Sequence, residues 1–149
     1  MSDNTPDSRI TGGCACGAIR YRYDGEPIMA VNCHCRECQR ATGSGYAPVL
    51  LLWEANFHLE SGVPSFYAID PKDPSYLRRG YCSSCGSPVL MARPSRPKLA
   101  YVLASSLDAP EKYQPTMNIF VSEAHSWDAM DQELEKVMGM PPVPEDFGT

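Results

Sequence analysis

The sequence predicts a mainly β protein of small twisted antiparallel sheets, with one short helix near the C-terminus. Three observations lead there. Apolar and polar residues alternate at period two in several short runs, the pattern of half-buried strands. The 14 prolines and 11 glycines cut the chain into pieces too short for a helical bundle. The length of 149 residues suits one domain around a single core.

Residues 1–10 are polar and read as a disordered tail. The first strand is expected over 19–24, where Ile19, Tyr21 and Tyr23 alternate with Arg20, Arg22 and Asp24. A second strand covers 28–32. Residues 36–42 make one or two helical turns stopped by Gly43. Residues 46–52 form a strand of the buried type, followed by a turn at 54–56. Segments 57–60 and 65–69 flank Ser61-Gly62-Val63-Pro64 and read as a hairpin. Strands at 76–81, 88–92, 99–104 and 117–121 follow. The clearest helical stretch is 131–138, and 139–149 closes the chain as an extended, proline-rich surface tail. One domain is therefore expected over 11–138.

Hydrophobic residues make up 43% of the chain and charged residues 21%, a normal balance for a globular protein in water. No apolar run reaches membrane-spanning length, and the N-terminus lacks the apolar core of a secretory signal. A cytoplasmic location is the expectation. The net charge of −5 argues against non-specific nucleic-acid binding, which needs a basic face. It excludes no small-molecule partner.

Seven cysteines carry the chemistry. In a reducing compartment, clustered cysteines point to metal ligands or reactive thiols rather than disulfides. They fall in three groups: Cys14/Cys16 among glycines, Cys33/Cys35/Cys38 within six positions, and Cys82/Cys85 before Gly86. Seven divides into four and three. The compact 33–38 group can wrap one metal alone, which leaves Cys14, Cys16, Cys82 and Cys85 for another. Four thiolates close a zinc site; three leave a position for water or substrate, and an open site gives up its metal more readily. The alternative is a single four-cysteine site from Cys35/Cys38 and Cys82/Cys85. Against it, 43 residues separate Cys38 from Cys82, far beyond the spacing of a local zinc ribbon.

The series C-x-C, C-x-C-x-x-C and C-x-x-C-G-S resembles the family of glutathione-dependent formaldehyde-activating enzymes. The likeness runs over 12–127. It includes Gly13 to Gly17, Cys33-His34-Cys35, Gly43-Ser44, Cys82 to Ser87 and the Ser105 to Asp108 turn; Trp127 and Asp131 match the family's C-terminal signature. The resemblance implies an Mss4-like fold around a structural zinc on Cys14, Cys16, Cys82 and Cys85. It implies a second, catalytic zinc on Cys33, Cys35 and Cys38. It further implies a carbon–sulfur lyase that joins glutathione to formaldehyde as S-hydroxymethylglutathione. The family also holds centromere-associated members not defined by that reaction, so a non-catalytic zinc module for protein interaction is the competing expectation. The sequence departs from the family at Asn118, where histidine is frequent, at Tyr46, where phenylalanine is frequent, and at 133–138.

Arg36, Ser44 and Tyr46 are the candidate substrate-pocket residues beside the three-cysteine group. Arg36, Glu37 and Arg40 can hold the charges of a glutathione-like ligand or form a solvated helix face. His34 is assigned a supporting or surface role rather than metal ligation. Arg78, Arg79, Arg93, Arg96 and Lys98 read as strand-edge or loop charges, with anion capture as the alternative. A thiol redox enzyme would need a free nucleophilic cysteine, and the four-plus-three division leaves none.

Overall fold

The computed structural model describes residues 7–142, 144 and 147. In chain order its strands are β1 (Arg9–Gly13), β2 (Arg20–Asp24), β3 (Met29–Cys33), β4 (Ala47–Trp53), β5 (Phe57–Ser61) and β6 (Ser65–Ala68). They continue with β7 (Arg78–Tyr81), β8 (Pro88–Ala92), β9 (Leu99–Leu103), β10 (Met117–Ile119) and β11 (Glu135–Lys136). Helix α1 (Arg36–Thr42) lies between β3 and β4 and ends, as expected, at a left-handed Gly43. The fold is mainly β.

Period two decides which face each strand buries, and two sheets result. One is three-stranded and antiparallel, in the order β1-β2-β5. The other is eight-stranded, in the order β11-β10-β3-β4-β9-β8-β7-β6. On β4, Leu50 and Leu52 join Ile19, Tyr21, Tyr23 and Val102 in one buried cluster. Val49, one position away, faces oppositely and packs with Val31, Met91, Leu103 and Ile119 in a second cluster. Burying a ring the size of Tyr21 or Tyr23 contributes roughly 1.5–3 kcal/mol. Their hydroxyls stay bonded, Tyr21 to Ser106 Oγ at 2.6 Å and Tyr23 to the Glu26 carbonyl at 3.0 Å. The three-stranded sheet thus packs on one face of the large sheet, whose cluster also holds Cys14 and Cys82, and the second face carries Cys33 and Cys38.

Four expectations change. The helix placed at 131–138 does not form. Glu135 and Lys136 instead add a parallel edge strand to β10, and the Val137 amide donates to the Asn118 carbonyl at 2.9 Å. An eight-residue helix is marginal in water, whereas the β10 edge offers ready backbone partners. The fold's α-helix is α1, not a C-terminal one. Secondly, the 57–69 hairpin does not close. β5 pairs with β2 and β6 with β7, in different sheets. The Ser61–Pro64 link lacks the two-residue turn that locks a hairpin, and Phe57 packs on Tyr21 with ring centroids 5.4 Å apart. Thirdly, the large sheet is mixed, because β10 also runs parallel to β3. Lastly, β1 begins at Arg9 and buries Ile10, inside the tail expected over 1–10. The first six residues of that tail lie outside those described. Pattern alone passed over β1 because RITGG is short and ends in two glycines.

Candidate metal centres and an adjoining cavity

The turn after β1 brings Cys14 and Cys16 against Cys82 and Cys85, which follow β7. All four sulfurs lie within 4.8 Å of one another, with Cys14 to Cys16 at 3.6 Å and Cys16 to Cys82 at 3.8 Å. Gly17 and Gly86, at φ 81° and 77°, turn the backbone where a side chain would strain it. The Ile19 amide donates to Cys14 Sγ at 3.2 Å and holds that thiol below its ordinary value. The Ser87 hydroxyl, 3.1 Å from Cys85 Sγ, helps bring the Cys85 thiol down to about 5. Amides and hydroxyls aimed at sulfur stabilise thiolates, the form that binds a metal.

Cys33 ends β3, Cys35 caps α1 and Cys38 sits in its first turn. These three sulfurs also lie within 4.8 Å of one another. Cys35 Sγ accepts the Cys38 amide at 3.3 Å. Hydrogen bonds from Cys33 and Cys35, with the charge of Arg79, bring Cys38 down to about 3. Its bonds to Cys35 and Cys38, together with burial, push the Cys33 thiol up. None of the seven cysteines is in a disulfide. The structure therefore gathers them as four and three, and the single site on Cys35, Cys38, Cys82 and Cys85 is not formed. A closed set of four sulfurs and an open set of three both suit a soft or borderline cation such as zinc.

Arg79 is no edge charge. Its strand runs between β6 and β8, and the residue is 5% exposed. Nη2 lies 3.4 Å from Cys38 Sγ and Nη1 lies 3.2 Å from Met91 Sδ, while Nε has no partner among the described residues. A buried guanidinium without a carboxylate needs another anion, and the Cys38 thiolate supplies it.

His34, between two of the sulfurs in sequence, points away from them and is almost fully buried. Nδ1 lies 2.6 Å from Asp128 Oδ2, and Nε2 donates to Asn118 Oδ1 at 2.9 Å. The second bond is forced. Asn118 Nδ2 donates to the Asp131 carbonyl, and Asn118 Oδ1 already accepts from Asn32 Nδ2. Nε2 is therefore the donor to Asn118, and Nδ1 shares a hydrogen bond with the Asp128 carboxyl group. Tyr113 completes the chain by donating to Asn32 Oδ1 at 2.5 Å. Gly45 leaves room for this pair, since a Cβ there would stand 2.9 Å from the Asp128 carboxyl carbon. Gln39 fixes the helix by donating to the carbonyls of His34 and Glu123.

A cavity of about 480 Å³ opens beside the three sulfurs, and all three border it. Arg36 lines it, while its guanidinium also reaches Gln39 and His125. Ser44 and Tyr46 do not line it. Ser44 is exposed just past the helix, and the Tyr46 ring lies 5.3 Å from His34. Most other lining residues are apolar. Met140, Pro141, Pro142, Pro144 and Phe147 form one wall, and Phe147 is buried with its ring edge-on to Trp53. The segment expected as a surface tail is thus part of the cavity. Sequence reading missed Arg79, Asp128 and this wall. Asp128 lies 94 residues from His34, and no local pattern signals such a pair.

No helix among the described residues is long and apolar enough to cross a membrane. The crystal structure of a Rhodobacter sphaeroides protein aligns with 66% of this chain and 88% of its own, at 22% identity and a TM-score of 0.53, a likeness of fold. A Halomonas elongata protein named "Putative glutathione-dependent formaldehyde-activating enzyme" is 29% identical over 104 residues. That match covers 67% of this chain and 66% of the relative. The family model described as glutathione-dependent formaldehyde-activating enzyme matches residues 9–123, which take in both sulfur clusters. By that match, the chain belongs to the family of glutathione-dependent formaldehyde-activating enzymes.

Proposed function

We propose that the protein is a zinc-dependent carbon–sulfur lyase or synthase acting on a thiol–aldehyde adduct of the S-hydroxymethylglutathione type. In this reading Cys14, Cys16, Cys82 and Cys85 hold a structural zinc, and Cys33, Cys35 and Cys38 hold a catalytic one. The observation that carries it is the convergence of three sulfurs at the edge of a cavity large enough for a substrate. Zinc bound there would stabilise the thiolate form of a visiting thiol. The addition joins sulfur to the aldehyde carbon and leaves the thiol's proton on the former carbonyl oxygen; cleavage is the reverse.

The chain's own groups support that chemistry. Arg79 places positive charge beside a site crowded with thiolates. The apolar walls limit water, which strengthens those electrostatic effects. The family match and the Halomonas elongata relative's name support glutathione as the thiol. Seven unpaired thiols suit a reducing compartment such as the cytoplasm. Replacing Cys35 with serine is expected to remove about one zinc per chain and to abolish turnover of glutathione with formaldehyde. Metal analysis and a coupled assay read the two effects, and wild-type turnover in that variant would refute the mechanism.

A further inference from the structure

The cavity is long, and its two ends differ in chemistry. The strand register sets its floor. Along β3 the residues facing it are Cys33, Val31 and Met29, which pair across to Ala47, Val49 and Leu51 of β4. Leu51 in turn pairs with Tyr101 of β9. Cys33 stands four positions along the strand from Met29, roughly 13 Å at about 3.3 Å per residue. The sulfurs stand at one end of this strip. The connection from β8 to β9 carries Arg93 and Arg96 and enters β9 at Leu99, which pairs with Trp53 at the far end of β4. Both arginines line the cavity there. The Arg93 guanidinium lies 5.0 Å from the centroid of the Tyr76 ring. Burial pushes the Tyr101 phenol up, and the charges of Arg93 and Arg96 pull against it, which places both cations near this end.

We propose that the sulfur compound taken by this site has a long apolar body ending in an anion. This rests on the thiol-handling reading above. The sulfur sits at Cys33, Cys35 and Cys38, the body lies along Val31, Val49 and Leu51, and the anion meets Arg93 and Arg96. Glutathione fits that profile poorly along its length. At the sulfur end Arg36, Glu37 and Glu123 can meet a ligand's charges, but further along its peptide groups would face Val, Leu, Met and Pro side chains, and each polar group buried without a partner weakens binding roughly tenfold or more. An alkyl body gains affinity in the same place, about fourfold for each methylene buried.

Calorimetric titration of the zinc-loaded protein tests this with ω-mercaptoalkanoates of three, six and eight carbons, glutathione, and the neutral 8-mercapto-1-octanol. Affinity is expected to climb by about fourfold per methylene through the acid series. The eight-carbon acid should bind more tightly than both glutathione and the matched alcohol. In the double variant Arg93→Ala/Arg96→Ala, the advantage of the acid over the alcohol should vanish; its persistence would overturn the placement of the anion. A flat length series, or glutathione as the tightest ligand, overturns the proposal while leaving thiol handling intact. If no thiol binds at all, both fail together.

Discussion

Arg79 and His34 are two buried basic side chains that the three-cysteine cluster and its surroundings hold in place by different means. Arg79 has only sulfur within hydrogen-bonding reach among the described residues, so its charge is matched by a thiolate. His34 has a carboxylate, Asp128, itself almost fully buried. Removing one member of such a pair strands the other in a poor dielectric. Asp128→Ala leaves the buried His34 Nδ1 without its partner and is therefore expected to destabilise the fold by roughly 1–3 kcal/mol. Urea unfolding measures it, and a loss below about 1 kcal/mol, the range of exposed pairs, would show that the pair is not shielded from solvent. The sequence displayed His34 as a neighbour of ligands but hid its partners. Asn118 and Asp128 lie 84 and 94 residues away, and side-chain orientation decides the contact. The departure at Asn118 acquires a reason: its amide oxygen accepts the proton that His34 Nε2 offers.

Among the elements, those defined by local chemistry were legible, and those defined by distant partners were not. Helix α1 has an N-cap thiol and a left-handed glycine at its end, both within nine residues of sequence. The strands from β2 to β4 and from β8 to β10 show apolar patterns that need no partner to be seen. At β11 the pattern Leu134, Val137, Met138 imitates a helical stripe, yet the edge of a large sheet captures the segment. If β11 is a strand, Val137→Pro removes the amide that reaches Asn118 and should cost about 1–2 kcal/mol. Near-ultraviolet circular dichroism should also change as the Asn118 bonds to His34 and Asp131 loosen. An unchanged unfolding midpoint would argue against this edge pairing.

At the scale of the whole molecule, the two sulfur clusters do different structural work. The four-cysteine cluster joins the turn after β1 to the turn after β7, and so ties the small sheet's connections to the large sheet. The three-cysteine cluster is contained within a few residues and ties almost nothing together. Cys82→Ser should therefore unfold the domain or lower its melting temperature sharply. Cys35→Ser should leave the melting transition nearly in place, with differential scanning calorimetry reading the contrast. Equal losses in the two variants would mean that both centres are structural. The four-plus-three division was countable from sequence because each group is compact. The cavity was not, because one wall comes from Met140, Pro141, Pro142, Pro144 and Phe147, and the packing of Phe147 against Trp53 leaves no periodic trace.

The separation of Cys16 from Cys82, whose sulfurs end 3.8 Å apart, spans 66 positions. A ribosome adds about 5–20 residues each second, so roughly 3–13 seconds pass between the appearance of the first pair and that of the second. Through that interval the nascent chain exposes an incomplete chelate, open to oxidants and to the wrong cation. With zinc on the four-cysteine cluster as proposed above, the yield of correctly assembled protein should follow the zinc supply and redox state of the cell during synthesis more closely than those met by the finished molecule.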